Sequence, residues 1–152
     1  MQRSAFVSYL VFAQADQPQV DVQKLADHAR KFFRCSIQTT DAKGAIALDI
    51  ALQSGVTARA TLRARKASRD DHHAAREAEA RGQVSGMGAL ADKCGWVWQV
   101  DFDDGAPQAA VFTACAALAS VALGPVLPPD HSSLFGVRGA MERSAQGGEP
   151  YR

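Results

Sequence analysis

Three groups of residues in this chain of 152 have types and spacing that could do chemistry. The first is Asp130-His131-Ser132-Ser133, which holds the carboxylate, imidazole and hydroxyl of a hydrolase. A nucleophilic triad converges from separate elements, however, and no glycine-flanked nucleophile elbow surrounds these serines. A turn after Pro128-Pro129 accounts for the same letters, because Asp and Ser bond to nearby backbone in turns. The second group is Asp70-Asp71-His72-His73. Neighbouring helical side chains point about 100° apart, so these histidines do not share one ion. His73 and Glu77 meet at i,i+4, yet two ligands are too few for a site. Acidic residues opening a helix, with exposed histidines beside them, are the simpler reading. Neither a metal nor another cofactor is expected.

The third group is a row of cations, Arg59, Arg63 and Arg65, followed by Lys66 and Arg69. Side chains two apart on a strand share a face, so an anionic partner could lie along this row. No aromatic residues interleave with the charges, as single-stranded nucleic-acid platforms require, so nucleic acid is not the expected partner. Charge that guards a strand against sheet-to-sheet pairing is the plainer account. Gly82-x-x-x-Gly86-x-Gly88 follows no strand and lacks the lysine of a phosphate loop, so it reads as close packing or a joint. Trp96 and Trp98 read as core anchors, and His28 needs no role.

The elements that must position these groups follow from periodicity. Residues 5–13 (AFVSYLVFA) are apolar on both faces, as in a strand inside a sheet. A leader-peptide reading of residues 1–15 is the minority one, because the segment has one charged side chain before it and Ser8-Tyr9 within it. Asp21 caps a helix over residues 22–34, with Val20 and Leu25 placed as a hydrophobic staple. Strands follow over 36–40, 45–52 and 56–65, separated by turns at Gly44 and Gly55. In the last of these, Val56, Ala58, Ala60, Leu62 and Ala64 alternate with polar residues and arginines, which predicts one wet face. Ser68 and Asp71 open an alanine-rich helix that breaks near Gly82. Val84, Met87, Leu90 and Cys94 keep helical spacing beyond it, and Gly95 closes it. A strand over 96–102 and an apolar helix over 109–123, stopped by Gly124-Pro125, complete the order.

The order β-α-β-β-β-α-β-α predicts an α+β fold. It takes the form of a two-layer sandwich, with a mixed or antiparallel sheet of about five strands and helices on one face. Residues 1–143 form a single domain and 144–152 a flexible tail. A net charge of +1 gives no global pull toward nucleic acid or acidic membranes. No run approaches the ~20 apolar residues of a membrane span. Cys35, Cys94 and Cys115 are odd in number and lack a C-x-x-C pair, so they suit neither a disulfide framework nor a zinc site. Alanine and arginine usage suits a GC-rich bacterial genome, and a cytoplasmic location is expected.

The segment 124–137 (GPVLPPDHSSLFGV) is proline-stiffened and carries apolar residues without a regular period. Such a loop serves either as a lid over the core or as a partner surface. No catalytic residue is assigned. The expected function is a non-enzymatic module, of adaptor or immunity type, that docks to another protein through Arg59, Arg63, Arg65, Leu134 and Phe135. The alternative is a small hydrolase or transferase using His131 with Asp130. Anion or nucleic-acid binding by the arginine row is the weaker third.

Overall fold

The computed structural model describes residues 6–83 and 86–146. Residues 1–5, 84–85 and 147–152 lie outside this set. Ala5 of the first strand, Val84 of the second helical segment, the start of the leader reading and most of the expected tail therefore lie outside it too.

Chain order begins with β1 (Phe6–Ala13), α1 (Val22–Phe33) and the meander β2 (Cys35–Ala42), β3 (Ala45–Leu52) and β4 (Thr57–Lys66). Helices α2 (Arg69–Gly82) and α3 (Met87–Asp92) come next, then β5 (Trp96–Asp103) and α4 (Gln108–Ala122). The chain ends in a two-residue β6 (Val126–Leu127) and α5 (Val137–Ala145). The strands form one antiparallel sheet in the order β2-β3-β4-β5-β1-β6. The α+β class is as the element order predicted, with six strands in place of about five.

β6 escapes detection because two residues carry no period. It forms because Val126 and Leu127 pair with Val11 and Leu10, and Val126 then bridges to Phe135. This places β1 between β5 and β6 and explains why it is apolar on both faces. α5 was not anticipated either. Its stripe of Val137, Ala140, Met141 and Ser144 is thin, and its stability comes from packing on α4. The helix extends two residues past the expected end of the domain. Ser144 there bonds to the Thr113 hydroxyl at 2.7 Å and donates to the Ala109 carbonyl at 3.1 Å.

The main core lies under α1, α4 and α5, on the face that carries Tyr9, Val11, Leu48, Ile50, Leu62, Trp98 and Phe102. α4 is buried on nearly every side, since α1 and α5 flank it above the sheet, and its composition is correspondingly apolar all round. The opposite face is open across β2, β3 and β4, as the alternation of β4 predicted. Near β1 and β5 it is covered, and here the one-sided arrangement gives way. Phe12 and Val97 point away from the main core and pack with Ala75 and Ala78 of α2, Ala91 of α3, and Leu127 and Leu134. The small alanine face of α2 is what allows this close approach. Among the described residues, no helix is long and apolar enough to cross a membrane.

Helix ends follow their capping chemistry. Asp21 accepts from the Lys24 amide, and Ser68 and Asp71 form a reciprocal capping box. α2 breaks after Gly82, as expected. The end of α4 is achieved differently from expectation, since its left-handed residue is Leu123 (φ 61°) and not Gly124. Gly124 is needed for a separate reason: a Cβ there would collide with the carbonyl of Phe12. α3 likewise ends on Lys93 in right-handed geometry, before Gly95.

Candidate functional site

The arginine row stands on the open face of the sheet, and each member has a carboxylate. Arg59 meets Asp49 of β3 at 3.2 Å, with both side chains mostly in water. Arg63 donates to Asp101 of β5 at 3.1 Å, and Asp101 also accepts from the Ser8 hydroxyl and the Gln99 amide. Arg65 makes a two-pronged contact with Asp71 of α2, at 2.6 and 3.0 Å. Burial pushes the Asp71 carboxyl up, but hydrogen bonds from Arg65 and Ser68, with the Arg65 charge, outweigh it and hold the group below its ordinary value. The stripe of cations in the sequence is therefore a set of ion pairs in space. An anion lying along it would have to displace acids already in place.

The segment after β6 turns inward. Leu134 is 2% exposed and joins the smaller core, while Phe135 is 5% exposed and joins the main one. Consecutive residues point to opposite faces, as in a strand, because the bridge to Val126 holds this stretch extended. These two residues, expected to meet a partner, instead close the core, each contributing on the order of 1.5–3 kcal/mol of burial. The turn Pro128–His131 is held by the His131 amide on the Pro128 carbonyl, and the Asp130 carboxylate accepts from the Ser132 amide. Arg81 at the end of α2 donates to the His131 carbonyl at 3.0 Å.

Beneath this segment lies a cleft of about 1050 Å³. Its floor is Tyr9 of β1 and Phe112 of α4; one wall is the segment itself, another is α5, and its mouth is edged by Arg81, Met87 and Gln108. Gly139 of α5 lets the Phe135 side chain come close, since a Cβ there would sit 2.7 Å from it. The guanidinium of Arg143 lies 4.0 Å from the centre of the Phe135 ring and donates to the Ser133 hydroxyl and the Gly139 carbonyl. Burial, reinforced by the charge of Asp130 and opposed by that of Arg143, pushes the Tyr9 hydroxyl well above its ordinary value. It is a hydrogen-bond donor at any physiological pH.

The imidazole of His131 lines no part of this cleft, although Asp130 and Ser132 on either side of it do. The other histidines have structural partners. His28 shares a 2.7 Å hydrogen bond with Ser120, and His72 stacks on Phe12 while its Nε2 lies 3.0 Å from the Cys94 carbonyl. His73 stands 3.7 Å from Glu77, both exposed. Among the described residues, no three His, Cys, Asp or Glu side chains gather as a metal site would need. The glycine-rich joint is explained by Glu79, whose carboxylate accepts from the amides of Gly86 and Gly88 at 2.9 Å each.

The sequence singled out the segment 124–137, part of which lines this cleft, but not Tyr9, Phe112 and Arg143, which line it too. One signal was present: a phenol within an interior strand carries a hydroxyl that needs an acceptor. Compared with family models, curated proteins and solved structures, the chain matches none.

Proposed function

We propose that this chain is a non-enzymatic binding module, of adaptor or immunity type, that docks a protein partner through the cleft beneath residues 128–136. The observation that carries the reading is the cleft itself: a concave, largely apolar site with a few converging polar groups is the usual form of a recognition site. Two further features favour binding over catalysis. The Ser133 hydroxyl is engaged with Arg143, and the imidazole best placed in the sequence to act as a base faces elsewhere. The arginine row is the less favoured surface, because Asp49, Asp101 and Asp71 already neutralise it.

The test is a comparison of two variants. Gln108→Trp with Arg138→Glu alters the exposed rim of the cleft, while Arg59→Glu with Arg63→Glu inverts the open sheet face. A partner captured by the wild type and rebound in purified form should be lost with the rim variant and kept with the sheet variant. The reverse pattern, or binding indifferent to both, overturns the proposal.

A further inference from the structure

We infer that the Tyr9 hydroxyl anchors a neutral main-chain carbonyl of the docked partner, with the apolar side chain of that same residue lying on Phe112. This rests on the docking reading above and adds the chemistry by which the partner is held.

Tyr9 is 5% exposed, and its ring is fixed by edge-on contacts with Phe102 at 5.7 Å and Phe112 at 5.8 Å. Its hydroxyl has no hydrogen-bond partner among the described residues. Nor is that hydroxyl sealed in: no fully enclosed side-chain nitrogen or oxygen among those residues lacks a partner, so it opens into the cleft it lines. Buried phenols ordinarily find an acceptor inside the protein. Here a docked partner supplies it.

The surrounding charges select an uncharged acceptor. Asp130 and Arg143 both act on the hydroxyl, and the Asp130 carboxylate outweighs the Arg143 guanidinium there. The field that resists ionisation of the phenol equally resists an anionic ligand at its oxygen. A cation is no better placed, because the described lining carries Arg81, Arg138 and Arg143 against Asp130 and Glu142. These groups are also engaged within the fold. Arg81 donates to the His131 carbonyl, Asp130 accepts from the Ser132 amide, and Arg138 stands 3.6 Å from Glu142. Arg143 donates to Ser133 and Gly139 and lies over Phe135. Any ion would in addition shed its water above the rings of Tyr9 and Phe112. A neutral carbonyl meets none of these obstacles and accepts the one hydrogen bond on offer. Phe112 stands 5.8 Å from Tyr9, a separation that a single residue bridges with its carbonyl and its own side chain.

The probes are N-acetyl-L-phenylalanine N-methylamide, the corresponding free acid, and butylbenzene, titrated into the full chain and followed by its amide resonances. Tyr9→Phe should weaken the N-methylamide about twofold to tenfold, the range of one neutral hydrogen bond, and leave butylbenzene unchanged. The thermal midpoint of that variant should be unchanged or raised, because no internal hydrogen bond is lost. The acid should bind more weakly than the N-methylamide, and Asp130→Asn should narrow that gap. Tighter binding of the acid, an unchanged gap in Asp130→Asn, or N-methylamide binding indifferent to Tyr9→Phe overturns the inference. The two proposals fail separately. Partner capture lost in the rim variant but untouched by Tyr9→Phe leaves docking standing and removes the carbonyl contact. Tyr9-dependent binding of the N-methylamide, with capture indifferent to the rim, leaves a site for small neutral carbonyl compounds and removes the protein partner.

Discussion

Asp71 shows how much one side chain can be asked to do. It closes a capping box with Ser68, receives both arms of Arg65, and ties the start of α2 to the open face of β4. Asp71→Asn keeps the shape and removes the charge, and should cost about 1–2 kcal/mol in urea unfolding. Because the folded carboxyl titrates below its unfolded counterpart near ~3.9, its contribution is complete above that pH and fades as pH falls through the folded value. The gap between wild type and variant should therefore begin to close only as pH falls below about 4, and a constant gap down to lower pH would contradict the assignment. The cysteines make the opposite case. Burial pushes Cys35 and Cys94 up to about 11, and Cys115 higher still. A thiol-specific reagent at mildly alkaline pH should label none of them quickly in the native chain and all three after denaturation. Rapid labelling of any one would reveal local opening at that position.

At the scale of elements, the end of α4 is the tightest constraint. Leu123 takes the left-handed conformation and Gly124 passes against the β1 backbone, where a Cβ would also sit 2.9 Å from the Cys94 sulfur. Gly124→Ala must move β1 or the helix end, neither of which is a flexible side chain. It should destabilise by about 3 kcal/mol or more, at the upper end of single-residue effects. Gly105→Ala, at a turn with φ 92° but open space around it, should cost about 1 kcal/mol through backbone strain alone. Comparing their denaturation midpoints separates collision from strain. The contrast also shows why elements were legible to different depths. β4 announced its wet face through strict alternation, a property of adjacent residues. β6 and α5 did not, because a two-residue strand and a thin helical stripe exist only by virtue of β1 and α4.

For the whole molecule, the sheet is shared between two cores of unequal size, with a polar face left open over β2, β3 and β4. That face carries alternating signs: Asp49 and Asp101 stand among Arg59, Arg63 and Arg65. Exposed pairs of this kind contribute little to stability, but they leave no unbroken field of one sign. A labelled single-stranded oligonucleotide should accordingly show no saturable anisotropy change at about 0.15 M salt. Saturable binding that weakens steeply with added salt would return the arginine row to consideration as an anion site.

Read by itself, the chain determined its class, most strand and helix positions, both side-chain N-caps and the wet face of β4, because each depends on spacing over a few residues. Tertiary structure alone decided what the charged and apolar groups meet. Arg59, Arg63 and Arg65 acquired acids from three other elements. Leu134 and Phe135, apolar residues without a period, were drawn into the cores by the bridge to Val126. The hydroxyl of Tyr9 was left facing a cleft whose other walls come from residues far along the chain. Such convergence depends on how whole elements pack, and no local period records it.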